Sequence, residues 1–386
     1  MDLNRIREFI KEELFTMEPD IFTGRFGDME ERLNQKRERV KKEGWWAPHM
    51  PKEYGGMGLD LMELAQLSEV LGASPIGHYT FGCQAPDAGN MEVLKDFGTP
   101  EQKEKYLKPL VNGDIRSCFS MTEPGFAGSN PIHMNTIATK KDKQYVISGR
   151  KWFTTGADGA SFAIVMCVTN PDAPKYQRAS QIIVPCNTPG FQIARNISIM
   201  GEANDGWFSH SEVLYDQVHV DESNRIGEEG GGFSIAQQRL GPGRIHHCMR
   251  WIGICERALT LICKRAKSRH LDINTPLSSK QTIQNWIAEA RARIDASRLL
   301  VMDCAKQIEE KGSYGARKSV SIIKFYVADV LSETLNRAIQ VHGALGITDE
   351  LPLSFWYRHE RGARIYDGPD EVHKVRVAKL ELKTNG

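Results

Sequence analysis

A carboxylate on a turn among apolar neighbours can act as a base, and residues 358–373, RHERGARIYDGPDEVH, put Asp367 in that setting. Ile365 and Tyr366 precede it, Gly368-Pro369 follow, and a helical tail comes next, so the carboxylate could be partly desolvated and take up a proton. Asp370, and Asp367 itself, would also suit as caps of the closing helix, and spacing alone does not separate the two roles. A second segment, FSMTEPGFAGS at 119–129, mixes hydroxyls with Gly125 and Gly128. Such a loop can bring backbone N–H groups close to a planar ligand, or it can be a surface turn. A third, KWFTTG at 151–156, sets Trp152 beside hydroxyl residues, which gives either a flat apolar ligand face or an ordinary core aromatic.

The elements that must carry these residues follow from the period of the apolar positions. From residue 1 to about 115 the pattern is helical. Asp60 with Glu63, and Thr99 with Pro100 and Gln102, have the spacing of helix starts. Between about 117 and 226 the pattern becomes short β-branched runs: YVIS from Tyr145, FAIVMCVT from Phe162, QIIVP from Gln181 and SEVLY from Ser211. Turn formers separate them, so an antiparallel sheet or small barrel is expected. After GEEGGGF at 227–233 the helical period returns to the end. One stripe runs Ile283, Ile287, Ala290, Ile294, Val301, Cys304, Ile308, a second Ile323, Val327, Val330, Thr334, Val341, and a third Ile245, Met249, Ile252, Cys255, Leu259, Ile262. Three long stripes call for a bundle. Pro242 should kink that last helix or delay its start.

Composition narrows the partners. With 50 basic and 49 acidic side chains in 386 residues, no global field draws the chain to nucleic acid or an anionic membrane. No run approaches the length of apolar sequence needed to span a bilayer. The opening MDLNRIREFI has alternating charge and no apolar secretory core, so a cytoplasmic or organelle-matrix location is expected. Eight cysteines lie scattered without a CxxC pair or a metal-ligand spacing. They read as buried small hydrophobes in a reducing compartment, with no metal site.

Five segments, FGTPEQKEKYLKPL at 97–110, FSMTEPGFAGS, KWFTTG, QVHGALG at 340–346 and IYDGPDEVH at 365–373, resemble the acyl-CoA dehydrogenase family in order and across essentially the whole chain. GPGRIHHCMR at 241–250 and DGPDEVH at 367–373 are most similar to the subgroup of family members ten and eleven and their bacterial relatives. The resemblance implies an α+β multidomain fold: an N-terminal helical domain over 1–117, a middle antiparallel β-domain over 118–230 and a C-terminal four-helix bundle over 231–386. It implies FAD as cofactor, acyl-CoA as substrate, electron-transferring flavoprotein as acceptor, and a homodimer or homotetramer. Long, branched or 4-hydroxylated acyl groups are the substrates the subgroup suggests.

The resemblance also allocates residues. Asp367 matches the catalytic base, which is Glu in most of the family. Another branch carries its base on the first long bundle helix, where this chain has Gly243. Phe119, Met121, Thr122, Gly128 and Ser129 would line the flavin and pyrophosphate, and Trp152 and Thr154 the ring system. Arg269 and Gln281 would reach the FAD of a neighbouring subunit. Gln340, Gly343 and Ala344 would hold its adenosine diphosphate, with Pro369 and Glu371 closing the site. Ser129, Arg244, Asp367 and Gly368 would meet the substrate. The chain departs from the family at Asn130, at Pro369 and Glu371, and in RHLDINTPL, where an Arg, two residues and Phe-Gly are usual. Two other functions fit the same reading: a flavin oxidase of this fold acting on nitroalkanes or acyl-CoA, distinguished by oxygen consumption, and a flavin-free binding scaffold, distinguished by the absorbance spectrum.

Overall fold

The computed structural model describes residues 1–23 and 25–385. Their contacts gather into two units: one of residues 25–58 and 79–240, built on a sheet, and one of residues 1–24, 59–78 and 241–386, built on helices. The helices of the N-terminal region thus divide between the two, which their sequence order does not foretell.

The sheet unit contains β1 (Ser117–Ser120), β2 (Ile137–Lys141), β3 (Gln144–Thr155), β4 (Phe162–Val168), β5 (Ala179–Pro185), β6 (Phe191–Asn196), β7 (His210–Asp221) and β8 (Arg225–Ile226). They run in the order β6-β7-β3-β2-β4-β5-β8, with β1 beside β4. Each of the four β-branched runs falls in a strand, apart from Thr169, one residue past the end of β4. Most pairings are antiparallel, but β1 pairs with β4 in parallel, and β2 meets β4 in parallel at Ile137↔Val168. The directions mix at β4, whose seven residues are all buried. A strand so enclosed needs partners along both edges, and β5 occupies one while β1 and β2 share the other. Tyr145, Ile147, Val165, Val184, Val213 and Tyr215 fill the core on one face.

In the helical unit, Asp60 caps Leu61–Gly72 in a capping box with Glu63, as its spacing predicts. Thr99 and Gln102 do the same for the helix at Pro100 in the sheet unit. The long helices are Gln281–Gly315, Arg317–His342 and the larger part of Gly232–Ser268, joined by Pro352–Glu360 and Asp370–Asn385. The second and third apolar stripes are buried throughout, and the first is buried except at half-buried Ile287. Two local expectations are corrected. The helix at Gly232 starts ten residues before Pro242 rather than being delayed by it, and the side chain of Pro242 lies outside the described residues. The helical period does not hold unbroken to the end, because His270–Asp272 and Thr275–Pro276 form a short antiparallel hairpin. It lies in the RHLDINTPL segment that departs from the family pattern. Of the cysteines, Cys118, Cys167, Cys248, Cys255 and Cys304 are buried, whereas Cys83, Cys186 and Cys263 are only partly so.

Candidate active site

The turn before the last helix is set by backbone strain and by what holds it. Asp367 has φ 55°, left-handed for a residue with a side chain. That conformation carries an energetic penalty of about 1 kcal/mol, so it must be fixed from outside. The fixing groups converge on its main-chain oxygen. Arg244 donates to it from Nε at 3.2 Å and from Nη2 at 3.1 Å, and His373 Nε2 lies at 3.1 Å. Gly368 follows with φ +100°, and a Cβ there would stand 2.7 Å from His373 Nε2, so only glycine lets that ring approach. The helix itself begins at Asp370, so Asp367 stands three residues before it and is not its cap. Asp370 is buried beneath the turn, accepts from Arg364 Nε at 2.7 Å and lies 3.8 Å from the buried Lys324 ammonium.

The Asp367 carboxylate remains 23% exposed, and its Oδ2 lies 3.3 Å from His247 Nε2. This neighbour is absent from the sequence-based site. A signal for it exists, since His247 falls three residues after Arg244 and therefore on the same helix face. Without the turn's position, however, nothing in GPGRIHHCMR says what that face meets.

A buried network supports both partners. Glu360 accepts from both guanidinium nitrogens of Arg250, Nη2 at 2.9 Å, and from Trp251 Nε1 at 3.0 Å. The Tyr366 hydroxyl receives Arg250 Nη2 at 3.0 Å and Trp251 Nε1 at 3.2 Å. Burial would push the Glu360 carboxyl up, but the Arg250 guanidinium more than offsets it and holds Glu360 below the usual carboxylate range. Burial pushes the Tyr366 phenol up, and the Glu360 charge adds to that, so it stays a neutral hydrogen-bonding post beside Asp367.

Two further rings are neutral by burial: His246 is pushed down to about 4, with His247 adding, and His373 to about 4, with Arg244 adding. A histidine held below 6.5 stays neutral in the fold while the unfolded chain takes up the proton. Its contribution is complete above that value and is lost as pH falls from 6.5 toward 4. Each ring is expected to withdraw about 2 kcal/mol at about pH 5 relative to neutral pH. Thermal unfolding at both pH values measures the loss, and His246→Asn should remove its share of the difference. An unchanged slope in that variant would place the effect elsewhere.

In the sheet unit the residues assigned to the flavin gather around the end of β1 and the far part of β3. Asp87 anchors the start of β1 by accepting from the Ser117 N–H at 2.7 Å and hydroxyl at 2.6 Å. Thr122 and Trp152 are tied by reciprocal bonds, Trp152 N–H to Thr122 O at 3.0 Å and Thr122 Oγ1 to Trp152 O at 2.8 Å. Buried Lys151 donates to Met121 O and to Glu123 Oε1, both at 2.9 Å. A register shift between Lys151 and Thr154 bulges β3, with Phe153 at φ 51°. The bulge leaves Trp152 half-buried and Phe153 exposed at the strand surface. Thr154 is buried, with its hydroxyl 3.0 Å from Ser120 Oγ. Phe119 lies under the Arg239 guanidinium at 4.4 Å, and Gly128 and Ser129 are exposed.

The remaining positions form separate groups on the helical unit. Arg269 and Gln281 are exposed at the two ends of the hairpin segment, whose Leu277 N–H donates to Arg269 O at 2.7 Å. Gln340, Gly343 and Ala344 are exposed where Arg317–His342 gives way to the 3-10 turn Gly343–Ile347, with Gly343 at φ 64°. Pro369 and Glu371 flank Asp370 at the start of the last helix. On the helical unit the exposed Arg269, Gln281 and Gln340 and the open turn at Gly343 suit a phosphate-bearing, hydrogen-bonding group, and on the sheet unit the aromatic bulge at Trp152 and Phe153 suits a planar ring.

Three family profiles cover the chain: the N-terminal domain of acyl-CoA dehydrogenases at 3–114, the middle domain at 118–218 and the C-terminal domain at 230–381. FadE2 of Mycobacterium tuberculosis, described as an acyl-CoA dehydrogenase, is 43% identical over 91% of this chain and 85% of its own length. Acyl-CoA dehydrogenase family member 11 of Gallus gallus is 39% identical over 98% of this chain, which spans only 50% of that relative. A solved structure from Mycobacterium abscessus, also described as an acyl-CoA dehydrogenase, superposes with a TM-score of 0.95 at 36% identity, covering 100% of this chain and 98% of that one.

Proposed function

The chain belongs to the acyl-CoA dehydrogenase family, and from that premise we propose that it oxidises an acyl-CoA to the trans-2-enoyl-CoA with FAD, using Asp367 as the base. The observation that carries this reading is the Asp367 turn: a part-exposed carboxylate on a strained residue whose main chain is pinned by Arg244 and His373. Strain sustained by surrounding contacts marks sites where a side chain must point in one direction.

Asp367 takes the α-proton of the thioester. Its own main-chain N–H would donate to the thioester oxygen as charge develops there. Arg244 also holds the base turn, and Ser129, Arg244, Asp367 and Gly368 are the proposed contacts for the substrate. FAD, when bound, accepts the hydride lost from the β-carbon. Phe119, Met121, Thr122, Gly128, Ser129, Trp152 and Thr154 would hold its ring and pyrophosphate side. Gln340, Gly343, Ala344, Pro369 and Glu371 would hold its adenosine side, with Arg269 and Gln281 reaching a neighbouring subunit's FAD in a homodimer or homotetramer. Electron-transferring flavoprotein is the proposed acceptor, and 1–117, 118–230 and 231–386 are the proposed domains.

Purified protein is expected to show a flavin band. Anaerobic addition of acyl-CoAs of varied length, branching and hydroxylation should bleach it for the preferred class, with little oxygen consumed in air. No uptake of added FAD would turn the reading to a binding scaffold, and brisk oxygen consumption to an oxidase.

A further inference from the structure

The base turn holds a second titratable group that the reaction above does not use. His247 is 23% exposed, and its ring is bracketed by Tyr366 at 5.3 Å and by Trp251, stacked at 6.0 Å with a 23° interplanar angle. Both aromatics are pinned in turn by the Arg250–Glu360 network. The ring therefore has little freedom to leave the carboxylate. Arg244 and His247 lie one turn apart on the same helix and grip one residue at two ends, Arg244 the main-chain oxygen of Asp367 and His247 its carboxylate. Because an ionised carboxylate only accepts, the nitrogen facing it carries the hydrogen: Nε2–H donates to Oδ2. The proton on Nδ1 then decides whether the ring is charged.

We propose that His247 is a positioning residue that sets the strength of Asp367 as a base, with the neutral imidazole as the working form. The inference rests on the reading of Asp367 as base. In the neutral form, Nε2–H holds Oδ2 and leaves Oδ1 free to take the α-proton; the electron pair of the broken C–H bond stays with the substrate, and the β-hydride goes to the flavin. His247 keeps its own hydrogen throughout. In the imidazolium form, a full positive charge lies against the carboxylate, and a carboxylate so paired is a poorer proton acceptor.

The groups around the ring act in both directions. Asp367 and Glu360 favour its charged form, whereas Arg244 and Arg250 on its own helix, and His246 and His78 if charged, oppose it. His246, pushed down to about 4, stays neutral across the working range, and burial holds His78 well below its ordinary value. The Asp367 carboxylate lies against the ring, at 3.3 Å from Nε2.

The test is the pH dependence of anaerobic flavin reduction by a bleaching acyl-CoA, between about pH 5.5 and about pH 9. The holoenzyme is compared with His247→Gln, which offers an N–H at similar reach and does not titrate, and with His247→Phe, which offers neither. The wild-type rate should rise on the order of tenfold through one ionisation. The Gln variant should lie within about tenfold of the wild-type maximum and show no such rise, and the Phe variant should fall by more than about tenfold at every pH.

A second readout needs no turnover: nitrogen-15 NMR of the imidazoles, with His247 identified by its loss in the Gln variant. Its titration should move to lower pH in Asp367→Asn, where the attracting charge is gone. A wild-type rise surviving in His247→Gln, or a His247 titration indifferent to Asp367→Asn, would overturn the proposal while leaving Asp367 as base. Flavin reduction by Asp367→Asn at the wild-type rate would instead overturn the base assignment, and the role of His247 with it.

Discussion

An Asp367→Asn enzyme is expected to fold, bind flavin and bind acyl-CoA, yet reduce the flavin far more slowly. Asparagine tolerates left-handed backbone as readily as aspartate, so φ 55° adds no new strain. Both contacts that fix the turn, from Arg244 and His373, reach the main-chain oxygen and do not depend on the side chain. The amide oxygen can still accept from His247 Nε2. What disappears is the capacity to take up a proton, and general bases contribute about a hundredfold to ten-thousandfold. Stopped-flow bleaching with a preferred acyl-CoA should therefore slow by about that factor while the flavin spectrum and thermal midpoint stay near wild type. Bleaching at the wild-type rate would mean that the α-proton goes to another group.

The turn at Asp367 was legible from its local string, a carboxylate followed by Gly368-Pro369 ahead of a helix. That string did not separate a base from a cap, and the base role came from the family resemblance. His247 was not legible, because its partner lies 120 residues along the chain and no local pattern encodes that meeting. The two differ in kind as signals. The stripe from Ile245 to Ile262 announces burial at each position through its period. The Arg244–His247 spacing announces only that two polar groups share a face. Strand direction was equally hidden. FAIVMCV lacks alternation, as a strand buried on both faces should, but its composition cannot say which edge receives β1 or in which sense. The hairpin at His270–Asp272 and Thr275–Pro276 is short and mostly exposed, so it leaves no apolar period to read. The N-terminal helices were visible through their caps and faces, yet a face does not name its partner, and contacts divide them between two units.

Lys151→Met should have the largest effect on stability, and its pH dependence identifies the cause. The Lys151 ammonium is fully buried and Glu123 is 5% exposed, so neither charge is offset by water. Burial alone would push the Glu123 carboxyl up. The Lys151 charge, together with N–H donors from Asn135 at 2.6 Å and Thr136 at 2.9 Å, holds it below its ordinary value instead. A depressed carboxyl contributes stability that is present above its unfolded value of 4.5 and is lost as pH falls through the folded value. Removing only the lysine strands a buried anion, a change that typically destabilises by about 3–5 kcal/mol. The thermal midpoint should fall on the order of 5–10 °C at neutral pH. In the variant, burial of Glu123 is opposed only by the Asn135 and Thr136 N–H donors, so acidification relieves the stranded charge by protonating it. The gap from wild type should therefore narrow toward about pH 4.5, and Lys151→Met with Glu123→Gln should recover part of the neutral-pH loss. Flavin affinity should weaken as well, because Lys151 Nζ also holds Met121 O at the root of the loop that carries Thr122. A gap of equal size at both pH values would show that Glu123 is not charged in the fold and that the loss comes from packing alone.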